Sequence, residues 1–279
     1  MKHLTYLLFV FILLANSSKA QKMTIDEYFK INPTQINPKN KEIQEYDVTL
    51  KWQNLHPISG HKINCNAVKA TYRVGLDNDS VEWENVSITQ IVDFKQTLPK
   101  TTELPLFNGF KYKAKDTAFL SKNFYKDIPV DQQDLAKWLV SDAMQMQGLA
   151  WYVFDSLAFK KTFTPKLLEN NDLKFEDWVT FTSRYQKIIW SGISKHNHEI
   201  CAIVQFESYY NPLKIDNKQM QVKGRSLYYG EMWISLSDKQ VEYASMLEDV
   251  IMKLKSPVFP EEQLINLQRE VIFTKNDKN

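Results

Sequence analysis

The sequence predicts an α+β protein in which an antiparallel β-meander packs against one main helix over about residues 131–155. Two patterns carry this expectation. Apolar and polar residues alternate with period two in several segments, as they do in strands with one buried face. From Asp131 onward the apolar residues instead recur at helical spacing. With only 7 Gly and 10 Pro, and no low-complexity run, no linker divides the chain into separate modules.

Residues 22–45 are polar and contain the steps Asn32-Pro33 and Asn37-Pro38, which predict a short helix near Ile25–Phe29 and then irregular chain. Strand signals begin at Tyr46–Trp52, where Tyr46, Val48, Leu50 and Trp52 share a face. Asn66–Val74 is a second strand, and Val81–Phe94 holds two more pieces behind a turn at Asp77–Ser80. The helix is given Asp131 as its N-cap, after Pro129, and a stripe of Leu135, Trp138, Leu139, Ala143, Met146, Leu149 and Ala150 that packs on the sheet.

Trp178–Ile193 contains one or two further strands. Ile200–Tyr210 alternates, with Ile200, Ala202, Val204, Phe206 and Tyr210 on one side, and the polar Ser194–Glu199 segment before it is a hairpin loop. Leu227–Leu236 is a strand closed by a turn at Ser237–Gln240. Val241–Leu254 fits a helical face as well as a strand; the short turn before it favours the strand, because such turns join antiparallel neighbours. A last strand covers 266–274.

The N-terminus reads as a secretory signal over residues 1–20. Lys2 supplies a positive charge, Leu7–Leu14 is an apolar run, and Ala15–Ala20 ends in small residues that suit cleavage after Ala20. The run is shorter than the roughly 20 residues of a membrane-spanning helix, and no second long apolar stretch follows. The expectation is an exported chain, periplasmic or extracellular, not integral to a membrane. Residues 21–279 then form a single globular domain, with a sub-division near 130 left open. The 35 basic and 33 acidic residues give a net charge of +2, which offers no basic face for nucleic acid.

The two cysteines, Cys65 and Cys201, admit two readings: a disulfide, which export favours, or a pair of buried thiols acting as small hydrophobes. If they are bridged, His61 comes near His196 and His198, and the three become candidate metal ligands. A solvated hairpin with incidental histidines is the plainer account of His196-Asn197-His198-Glu199. The acidic run Asp77, Asp79, Glu82 and Glu84 lacks the glycine and terminal glutamate of a calcium loop and reads as a solvated turn.

No Gly-x-Ser-x-Gly elbow, His-Glu-x-x-His or phosphate-cradling glycine loop occurs, so the sequence gives no catalytic residue and implies no cofactor. Aromatic residues concentrate in the C-terminal strands. Trp233 lies with Leu227 and Tyr229 on one side of its strand, and Tyr228, Met232, Ile234 and Leu236 lie on the other. Tyr228, Met232, Trp233 and Ile234 are the candidate contacts for an apolar ligand, against the alternative that they are core.

Three stretches carry a family likeness: Trp190-Ser191-Gly192, Cys201–Phe206 (CAIVQF) and Gly224–Ile234 (GRSLYYGEMWI). Over about residues 180–255 the chain resembles uncharacterised exported Bacteroidetes proteins and, more distantly, periplasmic lipoprotein carriers. The resemblance implies a curved, half-barrel-like antiparallel sheet closed by helices over an apolar cavity. It transfers no functional residue, and residues 22–130 have no counterpart in it. Taken together, the expected function is a non-catalytic exported protein that binds an apolar or lipid-like molecule. The alternatives are a hydrolase-type enzyme built from scattered residues, with His61, His196 and His198 as first suspects, or an envelope interaction protein.

Overall fold

Strands account for most of the described residues, and in the computed structural model they join edge to edge. The structure describes residues 23–37, 43–76, 80–95, 98–113, 122–148, 150, 153–166, 171–175, 179–184, 186–217 and 220–276. The expected signal peptide, Asp77, Asp79 and Leu149 lie outside the described residues. The chain divides into two units, 1–31 and 32–279.

In the first unit, α1 (Ile25–Tyr28) is the short helix read from the sequence. Thr24 caps it: its hydroxyl accepts from the Glu27 N–H, while the Glu27 carboxylate accepts from the Thr24 N–H at 2.6 Å.

The second unit holds a sheet of 13 strands among the described residues. In chain order they are β1 (Gln44–Leu55), β2 (Lys62–Leu76), β3 (Ser80–Ile91), β4 (Lys100–Glu103), β5 (Phe110–Lys113), β6 (Thr162–Phe163), β7 (Asn171–Phe175), β8 (Val179–Ser183), β9 (Gln186–His196), β10 (Glu199–Asp216), β11 (Gln221–Ser235), β12 (Val241–Ser256) and β13 (Phe259–Lys275). The spatial order is β4-β3-β2-β1-β13-β12-β11-β10-β8-β7, with β5 also on β3, β9 on β10 and β6 on β9. The named strands pair antiparallel, and the sheet stays open. Two meanders, β1–β3 and β10–β13, are stitched together where β1 pairs with β13. One sheet therefore takes strands from both sides of residue 130.

The segment with two readings, 241–254, is strand β12. Its helix-like pattern arises because apolar residues sit on both faces: Ala244, Met246 and Val250 are buried, while Tyr243, Leu247 and Ile251 point the other way. β3 is one strand rather than two pieces, interrupted near Asn85, whose φ of 52° accompanies a slip in its pairing with β2.

The main helix, α2 (Gln133–Gly148), lies within the expected 131–155, and the described residues 150 and 153 beyond it are in π-helical geometry. Asp131 does not cap it; it lies within a 3-10 turn over Val130–Gln132 that leads into the helix. Leu139, Ala143 and Met146 of the expected stripe are buried, joined by Ala136 and Val140. Trp138 is 36% exposed, and its ring meets Trp52 edge-on at 5.1 Å. Among the described residues no helix is long and apolar enough to cross a membrane.

α2 covers the face that carries Tyr46, Val48 and Leu50 of β1, Tyr72 of β2, Val271 and Phe273 of β13, and Met232 of β11. Tyr72 donates its hydroxyl to Gln147 at 3.0 Å. The main ionic tie is Arg269 of β13. One guanidinium nitrogen donates to both oxygens of Asp142 on α2, at 2.8 and 2.6 Å, and another donates to Glu248 of β12 at 2.5 Å. Ser226 of β11 donates to the second Glu248 oxygen at 2.5 Å, and the guanidinium lies 5.4 Å from the Trp138 ring centre. Burial raises the Asp142 carboxyl above its usual range against the opposing pull of Arg269, and the two carboxylates keep the arginine charged.

Glycine is required at position 230. A Cβ there would collide with the Ser245 carbonyl oxygen and lie 2.6 Å from the tip of the Phe206 ring.

Two stability outcomes follow from these contacts. Arg269→Ala leaves two buried carboxylates without their cation and should lower the unfolding free energy by about 3–5 kcal/mol in urea titrations. An unchanged midpoint would show that the cluster is not a structural tie. Gly230→Ala should cost about 1–3 kcal/mol or more, because the atom it meets is backbone and cannot rotate away; a wild-type midpoint would contradict the close approach.

Candidate functional site

The face of the sheet opposite α2 is built from cross-strand rows, because antiparallel partners stand side by side on the same face. One row runs Lys187, Glu207, Tyr229, Leu247, Glu270 and Lys51, across β9, β10, β11, β12, β13 and β1. The next runs Ile189, Gln205, Glu231, Ser245, Ile272 and Thr49. A third holds Ile203, Trp233, Tyr243 and Thr274. The first two rows from β9 to β13, with Tyr243 of the third, line an open groove of about 880 Å³, and Lys51 and Thr49 of β1 lie outside it.

The two halves of this face differ in chemistry. Over β1–β3 and β5 it carries ion pairs: Arg73 bonds Glu45 at 2.9 Å and Glu84 at 2.8 Å, and Lys111 of β5 meets Glu82 at 3.1 Å. Over β9–β13 it carries Ile189, Leu227, Leu247, Ile272 and the rings of Tyr209, Tyr229 and Tyr243, with Glu207, Glu231 and Glu270 set among them. Tyr229 is 46% exposed.

Two local features shape the groove. At one end, the β9–β10 hairpin turns through Asn197 and His198, both at positive φ (43° and 63°). Two successive residues of this kind make a tight turn matched to strand twist, and Asn suits it. The Asn197 side chain donates to the Lys275 carbonyl at 2.9 Å, so the tip reaches β13 across the ends of β11 and β12. The His196 ring packs 5.6 Å from Trp233 and 6.1 Å from Tyr243, and its Nε2 is buried without a hydrogen-bond partner among the described residues. Elsewhere in β10, the register slips between Ser208 and Asn211 in the pairing with β11. Tyr210 takes φ 58° at this bulge, which leaves both Tyr209 and Tyr210 exposed. Glu207 accepts a hydrogen bond from the Tyr209 hydroxyl, which raises that phenol above its usual value.

The predicted ligand face is divided between the two sides of β11. Tyr228, Met232 and Ile234 are buried on the side of α2, and Trp233 stands on the groove side, where its indole N–H donates to Glu231 at 3.0 Å. The sequence reading missed Glu207, Leu247 and Ile272. Their signal was alternation on three strands, β10, β12 and β13, which gains meaning only once the register is known.

The expected disulfide is absent: Cys65 and Cys201 are both free and buried. β1, β13, β12 and β11 stand between their strands. Cys65 also lies level with Gln53 and Gln268, whereas Cys201 lies beyond Ile203 toward the other end of the sheet. At about 4.8 Å per strand and 3.3 Å per residue, the separation is on the order of 20 Å or more, well past the bonding range.

The metal candidates separate for the same reason. His61 stacks on His56 at 4.9 Å, and Ser59 bridges the two rings, at 2.6 and 3.0 Å, beside the end of β1. His196 and His198 belong to the far hairpin. Among the described residues no group of three or more His, Cys, Asp or Glu is placed to hold a metal ion.

No protein-family model matches the chain, and no curated protein matches it. Among solved structures, one concerned with lipid–protein interactions in lipovitellin is similar at a TM-score of 0.39 and 10% identity, over 87% of this chain and 25% of that one. The chain thus spans about a quarter of that protein, and a likeness of this size carries no argument about its ligand.

Burial, with Glu242 and Glu199 nearby, pushes the Cys201 thiol up to about 12. The thiolate is the reactive form, so native Cys201 should resist iodoacetamide at pH 8 and gain reactivity only as the pH approaches that value. Unfolding in denaturant without reductant should expose two reactive thiols by mass spectrometry. Recovery of none would restore the disulfide.

Proposed function

We propose that the chain is an exported, non-catalytic binding protein that takes an elongated amphipathic, lipid-like molecule along the groove on the face opposite α2. The observation that carries this reading is the uneven chemistry of that face. Its apolar and aromatic side chains are gathered over β9–β13, inside a concavity, while β1–β3 and β5 on the same face carry solvated ion pairs. A surface with no ligand has no need to segregate them, and concentrated apolar patches mark binding sites.

In this arrangement Leu247, with Leu227, Ile189 and Ile272 around it, receives the apolar part of the ligand. Glu207, Glu231 and Glu270 meet its polar part. Tyr228, Met232 and Ile234, read from the sequence as ligand contacts, are buried behind the groove and in this reading take no part in contact. The reading keeps the half-barrel-like curvature implied by the family likeness: the hairpin tip held on Lys275 forms a wall at one end. It moves the ligand to the uncovered side of the sheet.

The test is calorimetric titration of the full chain with dodecyl maltoside below its micelle concentration. Leu247→Arg, which puts a charge at the centre of the floor, should weaken binding by about tenfold or more. Lys69→Gln, on the ion-paired half of the face, should leave it unchanged. Equal affinities for the wild type and Leu247→Arg, with circular dichroism showing both folded, would remove the groove as the site.

A further inference from the structure

We infer that the polar end of the groove's ligand is a cation of the ammonium type, and that Lys187 is the chain's own competitor for its place. This rests on the proposed groove and adds the chemistry of what it selects. The charged residues lining the groove are Glu207, Glu231 and Glu270 against Lys187 alone. Lys51 reaches Glu270 from outside, at 3.7 Å. The lining therefore carries an excess of negative charge in a chain whose formal net charge is +2, which attracts a cationic group and opposes an anionic one.

The manner in which Lys187 is held is the second ground. Its ammonium sits 3.7 Å from Glu207 and 5.8 Å from the centre of the Tyr209 ring. The Tyr209 hydroxyl donates to the same Glu207 carboxylate, so ring and carboxylate are tied into one unit. A ring face beside a carboxylate is a general means of holding an ammonium group. Lys187 is 55% exposed at its side chain and Glu207 37%, so their ion pair is of the weak, exchangeable kind. A ligand ammonium that also buries an alkyl chain over Leu247 has a contact that Lys187 cannot make.

The backbone supports the same assignment. The slip in β10 brings Tyr209 and Tyr210 out together, and Tyr210 holds φ 58° to do so, with the Arg225 guanidinium 5.8 Å from its ring. Bulges re-aim side chains next to functional sites, and a left-handed tyrosine is a conformation the surrounding structure must hold. Two neighbouring tyrosines, each facing a cation of the chain itself, are the outcome here.

The experiment compares three amphiphiles with one chain length, each below its micelle concentration, by calorimetry on the full protein: dodecyltrimethylammonium, dodecyl maltoside and dodecyl sulfate. The expected order is ammonium tightest and sulfate weakest, with the ammonium about tenfold tighter than the maltoside. Glu207→Gln should weaken the ammonium more than the maltoside, and Lys187→Met should tighten the ammonium. If the maltoside binds as well as the ammonium, and Leu247→Arg abolishes both, the cation inference falls and the groove reading stands. If none of the three binds, or Leu247→Arg changes nothing, the groove reading falls and takes the inference with it.

Discussion

Arg269 is the contact on which the arrangement of the molecule depends. Its guanidinium joins the helix, through Asp142, to two neighbouring strands, through its own β13 and Glu248 of β12. A desolvated cation between two desolvated carboxylates tolerates the loss of none of them. Apolar packing against a sheet is nearly indifferent to sliding by a turn, whereas a guanidinium shared between Asp142 and Glu248 by charge-assisted hydrogen bonds fixes register and direction. The helix is thereby held on one face, over Tyr72 and Trp52. The other face has no second helix of comparable length among the described residues to cover it.

The uncovered face follows the rules that built the covered one. Alternation along each strand gives every apolar position on the helix side a partner position on the far side, and antiparallel pairing lines those positions into rows. Over β1–β3 and β5 the rows carry Arg73, Glu45, Glu84, Lys111 and Glu82, which water and mutual pairing satisfy. Over β9–β13 they carry leucine, isoleucine and tyrosine, which nothing in the described structure satisfies as fully. Two departures from regular strand geometry, the β9–β10 turn and the bulge at Tyr210, border this apolar half. One brings His196 over Trp233 and Tyr243, and the other turns Tyr209 beside Glu207.

Much of the scaffold was legible in the sequence because it depends on local period. The shared face of Tyr46, Val48, Leu50 and Trp52, the alternation of Ala202, Val204 and Phe206, and the helical stripe of Leu139, Ala143 and Met146 all take the positions their spacing implies. Val241–Leu254 was readable only through its neighbouring turn, since its apolar residues serve both faces. The short strands β4–β7 were missed: segments of two to five residues carry too few alternations to register. The site was less legible still. Glu207, Tyr229, Leu247 and Glu270 are spread through the C-terminal half and meet only through strand register, which no local pattern specifies. The disulfide failed on the same point. Two cysteines in an expected oxidising compartment invite pairing, but strand order places four strands between them.

The central claim is that ligand is held on the face away from α2. Its most direct measurement is a methyl NMR titration of the chain, with labelled leucine, isoleucine, valine and methionine and with dodecyl maltoside as the probe. The account predicts shifts confined to Leu227, Leu247, Ile189 and Ile272, with Leu139, Val140, Met146 and Met232 unmoved. Shifts that instead cluster at the helix–sheet core, with the groove methyls silent, would contradict it and place the ligand beneath α2.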